Sequence, residues 1–301
     1  MLQKIQITLQ YLLPKRGITQ LIGLIANYKG GLLTQCIIEF LIYIYKIDMQ
    51  EAQKQNSRDY LTLNEFLTRK LHKNARPIYT DPQIITMPAD GKIIQMGKIN
   101  STGNLLQAKN HTYNLEGLLA GQDAIINHFY NGDFITIYLS PKNYHRIHMP
   151  CKGILREVIY VPGELFSVHP TIVKKIDNIF ARNERVICFF EIQFGYMVQI
   201  LIGSTITGSI ETKWLGTITP PREGIIKHWH YPHTSNNPLT LLKGEEMGLF
   251  KIGSTVINLF SHGTITFEKN LNTNDITKVG HPLGKIGVNE YTKLSHNTLK
   301  Q

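Results

Sequence analysis

The chain has 301 residues, 42% of them hydrophobic and 18% charged, with a formal net charge of +10. That balance excludes an intrinsically disordered chain and suits one main domain with an accessory segment. The basic excess favours an anionic partner, whether nucleic acid, an acidic lipid surface or an acidic metabolite, unless it is only a solvated surface. Cys36, Cys151 and Cys188 are widely spaced and form no Cys-x-x-Cys pair, so neither a disulfide framework nor a structural zinc site is expected, and a reducing compartment is. No signal peptide and no spanning segment are expected, because no uninterrupted apolar run reaches the ~18–20 residues a spanning helix needs.

In chain order, Leu2, Ile5, Leu9, Leu12 and Leu13 recur at helical spacing until Pro14 interrupts them. Two further apolar stretches, Ile18 to Tyr28 and Leu32 to Tyr45, predict short greasy helices edged by Lys15, Arg16, Lys29 and Lys46. Such helices suit a lipid interface, or equally a helical layer on the protein's own core or a dimer contact. Asp48 to Thr62 reads as a polar linker, and Thr62-x-x-Glu65 as a capping box opening a helix to about Leu71 with Phe66 and Leu67 inward.

From Pro77 onward the pattern changes to short strands bounded by Gly, Pro or Asn. They are expected at 91–95, 134–139, 154–161, 186–192, 197–202, 205–211, 254–260, 263–267 and 281–286. Only 114–120 reads as helical among them, and the tail after Val288 is polar. The fold class expected is α+β: N-terminal amphipathic helices over 1–75, then a predominantly β domain of sandwich or barrel type over 76–301.

Three places could carry chemistry. Gly253-Ser254-Thr255 puts a permissive glycine and a hydroxyl at the mouth of a β-branched run, where a chain can cut itself. Asp90 lies in Met87-Pro-Ala-Asp-Gly91, a motif that is also ordinary turn chemistry. His145 and His148 flank Arg146-Ile147, and Met149-Pro150 disfavours a helix there, so the two rings are expected to have different neighbours. No third ligand accompanies them at metal-site spacing, and no metal is expected. The glycines at 244, 248 and 253 match neither a dinucleotide fingerprint nor a P-loop. No basic stripe with interleaved aromatics points to nucleic acid.

Taken together, these residues closely resemble the bacterial, membrane-associated phosphatidylserine decarboxylase proenzymes. The resemblance rests on Leu9-Gln-Tyr-Leu-Leu-Pro14, Tyr45-Lys-Ile-Asp-Met-Gln-Glu-Ala-Gln53, Asn64-Glu-Phe66, Arg76-Pro-Ile78, Met87 to Gly91, Leu139-Ser-Pro141 and Tyr144-His-Arg-Ile-His-Met-Pro150. It continues through 159–167, 180–188, 216–224 and 243–248 to about Leu283, without the family's acidic C-terminal extension. The family's Leu-Gly-Ser-Thr signature stands here as Ile252-Gly-Ser-Thr255, a conservative apolar exchange.

The resemblance implies an Asp90–His148–Ser254 triad in which His148 takes the Ser254 proton and Asp90 supports the imidazolium. It implies cleavage at Gly253–Ser254 into 1–253 and 254–301, with Ser254 converted into a covalent pyruvoyl cofactor. It further implies a Schiff base with phosphatidylserine, release of CO2 and formation of phosphatidylethanolamine. His145 is a secondary candidate, as proton donor or polar pocket group. The two subunits are expected to stay associated and to pair again as a dimer, on an anionic membrane at the cytoplasmic face, peripherally held and without nucleic acid. Two rivals remain: a serine hydrolase using the same triad on an external substrate, and a non-enzymatic hybrid-barrel carrier domain.

Overall fold

The computed structural model describes residue 8 and residues 10–105, 113–205, 209–234, 237–251 and 254–287. Of the first predicted helix, Leu2, Ile5 and Leu9 lie outside the described residues, as do Gly253 and the tail from Val288; residues 10–12 are helical. The next two helices run Lys15–Asn27 and Leu32–Tyr45, the second with the predicted bounds. Thr62 caps its helix as expected, its Oγ1 accepting from Glu65 N–H at 3.0 Å, while Glu65 reaches back to Leu61 N–H at 2.9 Å.

That helix covers only Leu63–Leu67, short of the expected end near Leu71. Thr68 Oγ1 turns back on the Asn64 carbonyl at 2.7 Å, and Leu71 instead bridges to Ala52 in extended conformation. The same bridge, with Tyr60 and Ala52 buried, makes 48–62 a packed segment holding a 3-10 turn at Ser57–Asp59.

The main sheet has nine strands among the described residues. In spatial order they run Lys227–His230, Gly153–Val161, Arg185–Ile192, Gly195–Ile202, Thr255–Phe260, Asp133–Tyr138, Gly91–Lys98 and Ile276–Thr277, with Thr240–Leu241 also on Gly153–Val161. All of these pairings are antiparallel.

Side chains alternate across a strand, so a sheet buried on both faces sends successive residues into two cores. Val256 and Phe260 join Ile137, Leu201, Ile147, Ile210 and Phe250 on one face. Ile257 and Leu259 join Ile200, Leu118, Ile125, Ile172 and Phe180 on the other. The first face is covered by two smaller sheets: Gly216–Thr219, Ser209–Thr212, Glu246–Lys251 and Arg146–His148 in one, and Ile84–Thr86, Pro282–Ile286 and Ile265–Phe267 in the other. The second face is covered by short helices.

Those helices require a correction. Besides Leu115–Leu118, which lies within the predicted 114–120, there are helices at Asp123–Ile126, Pro170–Val173 and Ile179–Arg182. Each is a single turn, too short to show a helical period in sequence. The strand expected at 205–211 is described from Ser209 to Thr212. The α+β class holds, with a sandwich-like β domain.

Candidate active site

The sequence passes from one sheet to another at the Gly-Ser motif. Glu246–Lys251 belongs to the four-stranded sheet and Thr255–Phe260 to the centre of the main sheet, so Ser254 leads into the strand on the main-sheet side of that change. Every residue of Thr255–Phe260 is buried, because β-branched and apolar side chains meet a core on each face. Ser254 itself is 0% exposed. Its carbonyl accepts from Leu139 N–H at 2.7 Å, yet its hydroxyl has no hydrogen-bond partner among the described residues. A buried polar group left unpaired costs about 1–3 kcal/mol. Continued back from Val256 and Asn258, the strand's alternation turns Ser254 towards the face that carries Arg146–His148.

Three consecutive residues, Tyr138 to Ser140, gather the other candidates around that serine. A Cβ on Gly91, next to Asp90, would overlap the Tyr138 carbonyl, so the Asp90 turn lies directly on this strand end. Leu139 binds Ser254, and the Ser140 carbonyl accepts from His145 Nε2 at 3.0 Å. The His145 carbonyl accepts from Phe250 N–H at 3.0 Å, which ties it to the strand Glu246–Lys251 that precedes the Gly-Ser motif.

His145 is fully buried; among the described residues its Nδ1 makes no well-formed hydrogen bond, although the Leu67 backbone lies close enough to act on the ring. Burial pushes its pKa down to about 4, against the opposing pull of the Ser140 and Leu67 backbone. The ring is therefore neutral near pH 7, with its proton on Nε2 because a carbonyl can only accept.

His148 has different neighbours, as the strand reading expected. Its Nδ1–H donates to the Gly244 carbonyl at 2.8 Å, which leaves Nε2 as the basic nitrogen. The Tyr144 hydroxyl donates to that Nε2 at 3.1 Å. Burial lowers the His148 pKa, while the Gly244 carbonyl, Glu246 and Asp90 oppose the shift. Its backbone N–H donates to the Pro88 carbonyl at 2.8 Å, which fastens its strand to the Asp90 turn. Gln199 Nε2 reaches the His148 carbonyl at 3.3 Å from the central sheet beneath.

Asp90 is held by Arg76, not by a histidine. Arg76 Nε donates to Oδ1 at 2.9 Å and Oδ2 at 3.0 Å, and Val279 N–H adds a bond to Oδ1 at 2.9 Å. Arg76 also binds Glu51 at 2.6 Å, and Lys278 reaches Glu51 at 3.1 Å. Arg76 holds the Glu51 carboxyl down at about 2 against partial burial, with Lys278 helping. The four charges border a cavity of about 220 Å³ that also takes in Tyr144 and Lys142.

The structure thus brings Ser254, His145 and the Asp90 turn to one sheet end. His148 is fastened to that turn through Pro88 but stands opposite Glu246, at the end of Glu246–Lys251 away from Ser254. Among the described residues no hydrogen bond joins it to Asp90 or to Ser254. Sequence reasoning missed Gly244, Tyr144 and Arg76 as partners of these groups. Arg76 and Tyr144 stood in motifs shared with the family, and Gly244, which here adopts φ +79, stood out only as a glycine.

A covalent group made from Ser254 fits this position, because the hydroxyl it would replace is buried and makes no bond that the fold depends on. Comparison with known proteins adds a separate line. A family model described as phosphatidylserine decarboxylase matches residues 63–285, and a second, described as PSD, matches residues 5–46. A phosphatidylserine decarboxylase proenzyme of Blochmanniella pennsylvanica is 60% identical over 288 residues, covering 94% of this chain and 97% of that protein. Those of Escherichia coli strain 55989 and Citrobacter koseri are 55% and 54% identical over 284 residues, each covering 94% of this chain and 88% of the relative.

Proposed function

The chain belongs to the phosphatidylserine decarboxylase family and is a decarboxylase of that class, and we propose that it activates itself by cutting the Gly253–Ser254 bond. The observation that carries this reading is the buried Ser254 hydroxyl, unpartnered among the described residues, between two sheets, with the neutral His145 imidazole anchored on Ser140 beside it.

In this scheme Ser254 Oγ attacks the Gly253 carbonyl carbon and His148 Nε2 takes the hydroxyl proton. For that, Tyr144 must give up its bond to Nε2, while the Gly244 carbonyl keeps the ring in the productive tautomer. Asp90 acts through its negative charge, which favours the imidazolium, and not through contact. The amide nitrogen leaves as the Gly253 carbonyl carbon passes to oxygen, converting peptide to ester. Loss of the Ser254 α-proton then expels the Gly253 carboxylate and leaves a dehydroalanine. One water adds, ammonia departs, and residue 254 ends as a pyruvoyl cap on 255–301. Both reacting groups belong to one chain, so the step gains from proximity.

The pyruvoyl carbonyl supplies the electron sink for loss of CO2, the role other cofactors fill elsewhere. His145, neutral and fixed by Ser140, serves there as an oriented polar group. The two fragments remain together because Thr255–Phe260 is paired on both sides by strands of the larger one. Further pairing of these heterodimers is part of the proposal.

The helices Lys15–Asn27 and Leu32–Tyr45 rest peripherally on the cytoplasmic face of the cell membrane. No single described helix is long and apolar enough to cross a membrane, and this pair is bent by 110°. Leu24 is 71% exposed, Leu32 81% and Tyr43 83%, an apolar surface that their own core does not cover.

Intact-mass spectrometry of purified protein tests the scheme. Two fragments, the C-terminal one lacking a free amine, are expected. A single unmodified chain with full decarboxylase activity overturns it, as would labelling of Ser254 by a serine-directed phosphonate, the mark of a hydrolase.

A further inference from the structure

Far from Ser254, the edge strand Lys227–His230 carries a group of side chains that decarboxylation does not use. It runs antiparallel to Gly153–Val161, with His230 opposite Glu157 and His228 opposite Ile159. Residues two apart on a strand share a face, so both imidazoles flank one carboxylate. His228 Nδ1 lies 2.8 Å from Glu157 Oε1, and His230 Nδ1 lies 3.5 Å from the same oxygen. The rings stack at 19° with centroids 5.8 Å apart, and one donor atom from each of the three residues lies within 4.8 Å of the others.

We propose that Glu157, His228 and His230 form a surface site for a divalent transition-metal ion of the zinc class. Tetrahedral bonds of about 2.1 Å place ligand atoms about 3.4 Å apart. The His230 contact already has that separation, and the His228 contact needs to open by about half an ångström. Both Nδ1 atoms would then offer lone pairs, with the ring protons moved to Nε2. Exposure makes that shift easy: His228 is 32% and His230 71% exposed, so water can receive the Nε2–H groups.

Two neutral imidazoles and one carboxylate leave a net negative charge, which favours a dication. The adjacent cations are otherwise engaged, Lys227 with Glu223 at 2.8 Å and Arg156 with Glu191 at 2.7 Å. Imidazole ligands select zinc-like ions over magnesium or calcium, which prefer oxygen cages. Water completes the coordination of so open a site.

The ion would tie an edge strand to its neighbour and stabilise the native chain by binding it alone. Its role is not catalytic. Three strands separate it from Thr255–Phe260, roughly 19 Å at the usual spacing between neighbours. Sequence spacing could not reveal it, since Glu157 comes from a distant strand.

The test uses tag-free full-length protein dialysed against ZnCl2, with Co2+ absorption in the visible as a report of coordination. One Zn2+ per chain is expected. His228→Ala and His230→Ala should each weaken binding by more than about ten-fold, beyond the lower bound seen even for outer-sphere partners. His233→Ala, whose ring lies 3.5 Å from Glu191 instead, should leave it unchanged. Zn2+ should raise the melting temperature of the wild type and not that of the double variant, while their metal-free melts coincide. Equal Zn2+ affinity and stoichiometry in wild type and the double variant overturns the proposal, as does an equal loss in His233→Ala. Decarboxylase activity is not the readout, so failure here leaves the reading of Ser254 untouched.

Discussion

The Gly244 carbonyl accepts the Nδ1 proton of His148 at 2.8 Å, the place where an orienting carboxylate would otherwise stand. A backbone acceptor sets the tautomer as firmly as an aspartate, but brings no full charge. Asp90 is left to influence His148 through space, anchored by Arg76 and Val279. This division of labour separates the effects expected of the two residues.

His148→Ala should stop self-cleavage and leave the 34.4 kDa chain intact, as should Ser254→Ala. Asp90→Asn, which keeps an acceptor for Val279 but loses the charge, should slow cleavage by about ten- to a hundred-fold without abolishing it. Gel analysis of freshly made protein over time distinguishes these outcomes. Full-rate cleavage in Asp90→Asn would remove the field effect from the scheme.

Arg76→Ala strips the partner from two carboxylates at once, one of them buried. Breaking a buried ion pair by removing one member costs about 3–5 kcal/mol. The urea midpoint of the uncleaved Ser254→Ala background should fall accordingly, and Arg76→Lys should recover only part of it, because a point charge cannot make the same two-sided contact.

Acid should weaken the fold in two stages. His145 has its pKa depressed to about 4, so between its ordinary value of 6.5 and that point the unfolded chain binds more protons and stability falls as pH drops. Glu51 is depressed to about 2, so its contribution is complete above the ordinary 4.5 and is lost as pH falls from there towards 2. Denaturant midpoints against pH should show both slopes; His145→Gln should flatten the upper and Glu51→Gln the lower. In the Ser254→Ala protein, the His145 ring should still be neutral by NMR at pH 6.

Leu21→Glu with Leu24→Glu should lower partition onto anionic vesicles by more than ten-fold. Each leucine that enters an apolar phase contributes about 1.5–3 kcal/mol. Binding of the wild type should also weaken with salt, as the basic edges are screened. Sedimentation with vesicles measures both. Undiminished binding by the double variant would remove these helices from the interface.

The strands at 91–98, 153–161, 185–192 and 195–202 were legible because apolar and β-branched residues fill them between turn residues. The helix Leu32–Tyr45 was legible for a like reason, an unbroken apolar run with Lys46 at its edge. The candidate residues Asp90, His145, His148 and Ser254 stood out by type and by their resemblance to a family. The single-turn helices did not, since four residues hold no period to detect.

What the chain's order of residues determined by itself was local: where strands start, which helix is capped, and which side chains are candidates for the chemistry. Only tertiary structure decided which of them meet. The hydrogen-bond partners come from other parts of the chain: Gly244 for His148 from a turn 96 residues on, Arg76 for Asp90 from a bend 14 residues back, and Glu157 for the paired histidines from another strand. Contacts of that kind are set by sheet register and by burial on both faces, and neither is written in any short stretch of the chain.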